Sequence, residues 1–255
     1  MIKIQRIACP GCLDINIRNL IATDYSQDDV LEALLRMQYF KCCYCEKDLT
    51  KLGGSALWVE HFIAKDDNCF KDIHGNVNWD QANNWNNLLY SCSTCNRSKG
   101  TDKPFDISGK RRLIDPSYSR IDPERHIDFF IDDEIIFYKE KNHSGLGRNT
   151  IRNLKLKRRN DVYALLRKTK IKIDALFGEL VDALTDGNTL EVNAKINELI
   201  RTTSAHRPHA AFCRKYIQQK ITNFNNRHLN LINKQLGLQL NPISLNIASG
   251  FQTII

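Results

Sequence analysis

Residues 88–100, "LLYSCSTCNRSKG", run from an apolar stretch through a Cys-x-x-Cys pair into a polar segment that ends on glycine. This reads as a strand end or turn entering a short helix closed by Gly100. A matching pair, Cys42 and Cys45, lies upstream in "KCCYCEKDL" (41–49), with 46 residues between Cys45 and Cys92. Each pair can occupy two corners of a zinc tetrahedron, and four thiolates leave no open coordination position. Cys42, Cys45, Cys92 and Cys95 therefore read as a closed, structural zinc site. Cys43, caught inside the first pair, reads as a packing residue.

The sequence around the pairs suggests an α+β fold. "SQDDVLEALLRMQY" (26–39) opens on a possible capping box, Ser26 to Asp29, and spaces Leu31, Leu34 and Leu35 on one helical face. "EKDLTKLGGSALWVEHF" (46–62) reads as a hairpin bent at Gly53 and Gly54, whose second strand ends at Glu60 and His61. Residues 104–124, which hold three of the six prolines, read as a linker wrapping the surface, and "HIDFFIDDEIIFYKE" as a second hairpin turning near Asp132 and Asp133. From about 148 the period becomes helical, through Val162, Leu165, Leu166, Thr169, Ile173, Leu176, Phe177, Leu180 and Leu184, with further helices expected near 190–201, 209–223 and 226–236. The expected division is 1–105 as a zinc-stapled core with its N-terminal helix, 106–147 as linker and hairpin, and 148–255 as a helical, basic region.

Charge is unevenly distributed within the net +8. Residues 1–140 hold 18 Lys/Arg and 22 Asp/Glu, a balance of −4, whereas 141–255 hold 19 and 7, a balance of +12. The basic part should attract nucleic acid through salt-sensitive phosphate contacts, unless it is an ordinary solvated helical surface. No apolar run reaches the roughly 18 residues of a membrane span, and the N-terminus lacks the apolar centre of a signal peptide, so a cytoplasmic chain with no membrane partner is expected. Nine cysteines, an odd number, fit thiols and metal ligands better than disulfides. Cys9 and Cys12 form a third Cys-x-x-Cys with no pair to join and read as free thiols. Cys69 and Cys213 read as packing residues, and His206 and His209 as histidines at a helix start.

Glu60 and His61 close the hairpin, Asn87 precedes the second cysteine pair, and Asn96 and Lys99 follow it. A zinc clamp would bring these groups to one face. The pattern "VEHFIAK … WNNLLYSCSTCNRSKG" resembles the HNH (ββα-metal) nuclease family. Hydrolysis of a phosphodiester needs a base for water and a cation for the phosphorane and leaving oxygen, which suits these residue types. The resemblance implies His61 as general base and Glu60 with Asn96 as ligands of one catalytic Mg²⁺ or Mn²⁺, zinc being structural. It implies Asn87 as the residue that holds the His61 loop and tautomer. Lys99 would touch phosphate or serve as a helix C-terminal cation.

A narrower resemblance extends over much of residues 1–220. "MIKIQR", "CYCE", "IDPSYSRIDPERHIDFF", "GLGRNTIRNLKL" and "SAHRPHAAFCRKYI" follow in the order of the PtuB-type HNH effectors of Septu and retron-linked antiphage systems. Ala64 stands where that group usually has proline, and "NLKLKRRNDV" lacks an expected asparagine. The resemblance implies an ABC-type, PtuA-like ATPase as partner, and DNA as substrate. The alternatives are a tRNA-cleaving relative, or a zinc-stapled nucleic-acid-binding module without catalysis.

Overall fold

The computed structural model describes residues 1–13, 24–65, 82–101 and 103–227. Two compact units emerge, one of Met1–Asp128 with Tyr138–Arg159, the other of Phe129–Phe137 with the chain from Asn160 onward. The described elements are helices and two small two-stranded sheets. None of the described helices is long and apolar enough to cross a membrane.

In the first unit, helix α1 (Asp28–Met37) buries Val30, Leu34 and Met37, a face turned from the expected one: of Leu31, Leu34 and Leu35 only Leu34 is buried, the other two being half-buried. Its N-terminus differs from the expected capping box. Gln27 is the N-cap with no side-chain cap bond, while Ser26 belongs to a preceding turn of 3₁₀ helix. One backbone donor of the first turn is met by an acidic side chain instead, Val30 N–H donating to Asp29 Oδ1 at 2.9 Å.

Strand β1 (Leu57–His61) forms, yet its partner is not the 46–52 run. It pairs antiparallel with β2 (Leu88–Cys92), with Glu60 opposite Leu89 and His61 opposite Leu88. The 46–52 run contributes only an isolated bridge, Lys41 to Asp48. The physical reason is burial. Every residue of β2 is buried, so its edge must be satisfied inside the protein, and β1 supplies one side. The Gln38 side chain supplies part of the other: it donates to Tyr90 O at 2.7 Å and accepts from Tyr90 N at 2.8 Å, as a neighbouring strand would.

Helix α2 (Ser93–Lys99) follows β2 directly and ends, as read, on Gly100, whose φ of 53° lies in the region that favours glycine. Leu113 to Ser117 are buried, so this part of the stretch read as a surface linker is packed. The Arg111 guanidinium stacks over Phe62, Phe105 and Tyr118 at 5.3, 4.8 and 4.4 Å. The second hairpin, whose Phe129–Phe137 part belongs to the second unit, is present as β3 (Ile127–Asp132) and β4 (Ile135–Glu140), turning through Asp133 at φ 45°. Helix α3 (Leu146–Asn153) and a turn of 3₁₀ helix over Leu156–Arg158 complete the first unit.

The second unit is built on three helices, α4 (Asn160–Thr185), α5 (Thr189–Thr203) and α6 (Ala210–Arg227). Val162, Leu166, Ile173, Leu176, Phe177 and Leu180 of α4 meet Ile196 and Leu199 of α5 and Phe212, Ile217, Ile221 and Phe224 of α6 in its core. The expected helix at 226–236 begins as the end of α6; the rest of that range lies outside the described residues.

Candidate metal centre and adjoining cleft

The two cysteine pairs are carried by different kinds of backbone. Cys42 and Cys45 sit in a knuckle in which Cys42 N donates to Lys47 O and Glu46 N to Cys42 O, each at 3.0 Å, with Glu46 at φ 59°. Cys92 ends β2, and Cys95 lies in the first turn of α2. All four are buried, with sulfurs within 4.8 Å of one another, and Cys45 and Cys92 are 3.9 Å apart. A zinc tetrahedron with Zn–S near 2.3 Å has sulfur–sulfur edges of about 3.8 Å, so donor type and spacing fit zinc with small adjustments. No other cluster of this kind occurs among the described residues.

Arg159 completes the cluster, and the sequence reading missed it. Its guanidinium is buried, with Nη1 2.9 Å from Cys95 Sγ and Nη2 3.8 and 4.0 Å from Cys92 and Cys45. Four thiolates around Zn²⁺ carry a net charge of about −2, and a buried guanidinium offsets half of it. The thiols also tune one another. Hydrogen bonds from Cys42, Cys45 and Cys95 pull the Cys92 thiol far down, while Cys95 is pushed up by those same contacts with its neighbours. Of the other cysteines, Cys43 and Cys213 are buried and Cys9 is exposed. Cys69 and the side chain of Cys12 lie outside the described parts.

One side of the β1–β2–α2 assembly borders a cleft of about 650 Å³, lined by Glu60, His61 and Asn96 together with Tyr25, Trp58 and Lys65. The Glu60 carboxylate is almost fully buried. Lys99 Nζ (2.9 Å) and Tyr44 OH (3.2 Å) reach Oε1, and Asn96 Nδ2 reaches Oε2 (2.9 Å). Burial pushes this carboxyl above its ordinary value, and Lys99 draws it part of the way back. Lys99 is therefore neither a phosphate contact nor an exposed C-terminal cation: it is buried, and also donates to the His61 carbonyl at 3.0 Å.

The His61 ring stands edge-on to Tyr25 at 4.8 Å, with Nε2 2.9 Å from the Ala82 carbonyl oxygen. A carbonyl can only accept, so Nε2 carries the proton and Nδ1 keeps its lone pair. Burial lowers the imidazole to about 4, and Lys65 and Lys99 add to that effect, so the ring is neutral at pH 7. Asn87 acts on the loop after β1. Its side chain accepts from Ile63 N at 2.8 Å and donates to Ile63 O at 3.1 Å. Holding the tautomer, which the resemblance gave to Asn87, falls to Ala82.

Two curated relatives accompany this geometry. Over 98 residues the chain is 38% identical to a Septu protein PtuB of Bacillus thuringiensis, covering 38% of this chain and 32% of that one. Over 182 residues it is 30% identical to a Septu protein PtuB of Bacillus mycoides, covering 57% of this chain and 60% of that one. The chain is similar to Septu protein PtuB. It spans about a third of the length of one of these PtuB proteins and three fifths of the other. No protein-family model and no solved structure matches it.

Proposed function

We propose that this chain is a metal-dependent HNH-type endonuclease that hydrolyses phosphodiester bonds in nucleic acid, foremost DNA, as an effector of Septu-type antiphage defence working with an ABC-type ATPase. The observation that carries this reading is a neutral histidine with an unprotonated Nδ1 lining the same cleft as a carboxylate and an amide, on a strand–helix pair joined by four buried thiols. The similarity to PtuB proteins supports the defence setting.

The donor set fits a hard divalent cation. Asn96 Nδ2 lies 2.9 Å from Glu60 Oε2, and turning that amide over puts its oxygen there instead. A carboxylate oxygen and an amide oxygen side by side would suit the hard-oxygen preference of such a cation. Bound by Glu60 and Asn96, Mg²⁺ or Mn²⁺ would supply charge stabilisation for the phosphorane and the leaving oxygen. His61 Nδ1 takes the proton of the attacking water, and the Ala82 carbonyl stabilises the imidazolium that results. Asn87 fixes the loop after His61, and Lys99 fixes the Glu60 carboxylate from behind.

The test is cleavage of supercoiled plasmid and of bulk tRNA with Mg²⁺ or Mn²⁺, by the chain alone and with its ATPase partner. Loss of a general base costs roughly two to four orders of magnitude, so His61→Ala is expected to abolish cleavage while zinc content and melting temperature stay at wild-type values. Cleavage of tRNA alone would change the substrate to RNA. Equal cleavage by the wild type and His61→Ala would remove the base assignment, and no cleavage under any condition would leave the zinc-stapled binding module as the better reading.

A further inference from the structure

A second cavity, of about 610 Å³, lies in the first unit among Lys139 and Glu140 of β4, Arg148, Ile151 and Arg152 of α3, and Lys155, Lys157 and Arg158 of the turn that follows. Six cations and one carboxylate line it, and Lys139 also reaches Asp128 Oδ2 at 3.8 Å. Arg148 already engages the lining carboxylate, at 3.0 Å from Glu140 Oε2, and Arg148, Arg152, Lys155, Lys157 and Arg158 are all exposed. Cations gathered around a concave surface raise the local positive potential, which draws anions. The floor includes buried Ile151, so the cavity is a shaped recess rather than a run of solvated side chains.

The chain's path ties this recess to the candidate metal centre. Arg158 lines the recess, whereas its neighbour Arg159 turns inward to Cys95, Cys92 and Cys45, beside the helix that carries Asn96. Lys155 holds a left-handed backbone conformation, φ 50°, which starts the turn that separates the two arginines from α3. We infer that this recess binds the phosphodiester backbone of the nucleic acid that the proposed nuclease acts on, as a positioning site apart from the cleft around His61; the inference rests on the nucleic-acid reading above. Guanidinium forks suit phosphate oxygens, and contacts of this kind position a backbone without reading sequence.

The experiment measures binding, not cleavage. The 255-residue chain carrying His61→Ala is titrated into a fluorescein-labelled 30-base-pair DNA duplex and into labelled tRNA over a range of salt concentrations. The same titrations are made with Arg152→Gln and Arg158→Gln added, and with Lys157→Gln alone as a milder variant. Each lost phosphate contact removes about 0.9 from the log–log salt slope, so the pair should lower the slope by nearly two and weaken binding roughly tenfold to thirtyfold at 0.15 M salt. Lys157→Gln should lower it by about one. Unchanged affinity and slope on both probes, with the variants folded by circular dichroism and zinc content, would overturn the inference. Unchanged nucleic-acid binding with lost binding to labelled polyglutamate, titrated in the same way as a third probe, would overturn it in favour of an acidic protein partner. Because His61→Ala is used throughout, a chain that binds through the recess but never cleaves in its wild-type form separates failure of the nuclease reading from failure of this one.

Discussion

Lys99 and Glu60 show how a single buried pair sets up the cleft. Both side chains are almost fully buried, and Oε1 of Glu60 accepts from the Lys99 ammonium at 2.9 Å. Removing one member leaves the other as an uncompensated charge in a low-dielectric setting. Lys99→Met is therefore expected to cost about 3–5 kcal/mol, read from denaturant unfolding. Glu60→Gln in the same chain should recover much of that loss, because neither charge then remains. Additive losses in the double variant would show that the two residues act independently. Sequence reading located Glu60 and Lys99, from their places at the end of β1 and of α2, but not their contact. The two are 39 positions apart, and only the pairing of β1 with β2 brings them together.

At the scale of elements, the helices of the second unit carry an ionic latch. Asp174 of α4 receives the Tyr216 hydroxyl of α6 at 2.5 Å, Lys220 of α6 at 3.0 Å, and Lys170 of its own helix at 2.9 Å. Burial alone would raise its carboxyl, but the hydrogen bonds from Lys170, Tyr216 and Lys220 outweigh burial and hold it below the ordinary value. A carboxyl depressed by folding contributes stability that is present above its unfolded value, about 3.9, and is lost as pH falls through its folded value. Asp174→Asn should thus lower the melting temperature at pH 7, and its gap from the wild type should narrow as pH falls below about 4. A gap independent of pH would assign the loss to packing. The helices themselves were legible: the three-and-four spacing is local, and Val162, Leu166, Ile173, Leu176, Phe177 and Leu180 are buried on α4, while Leu165, Thr169 and Leu184 at the edge of that stripe are half-buried. The strand partnership was not. β-Branched and aromatic character marked 57–61 as a strand, but the choice between 46–52 and 88–92 as its neighbour depends on which edge must be satisfied in the interior.

At the scale of the whole molecule, the thiol cluster joins parts of the chain that are far apart in sequence: the 41–48 knuckle, the β2–α2 junction, and Arg159 at the end of the first unit. Structural zinc in such a site supplies on the order of 10 kcal/mol of folding energy. Cys92→Ser, or chelation of the purified chain, should accordingly lower the melting temperature sharply and reduce bound zinc to background by elemental analysis. An unchanged melting temperature would rule out a stabilising metal. The sequence by itself determined the donors of this cluster, the helices and the candidate residues Glu60, His61, Asn87 and Asn96, because thiol spacing, hydrophobic period and short motifs are local properties of the chain. Only the tertiary structure decided that Arg159 balances the thiolates, that Ala82 fixes the His61 tautomer and that Lys99 is buried against Glu60. Those roles arise from desolvation and from contacts across dozens of residues, and charge or hydrogen-bond capacity in a sequence does not say which partner burial will impose.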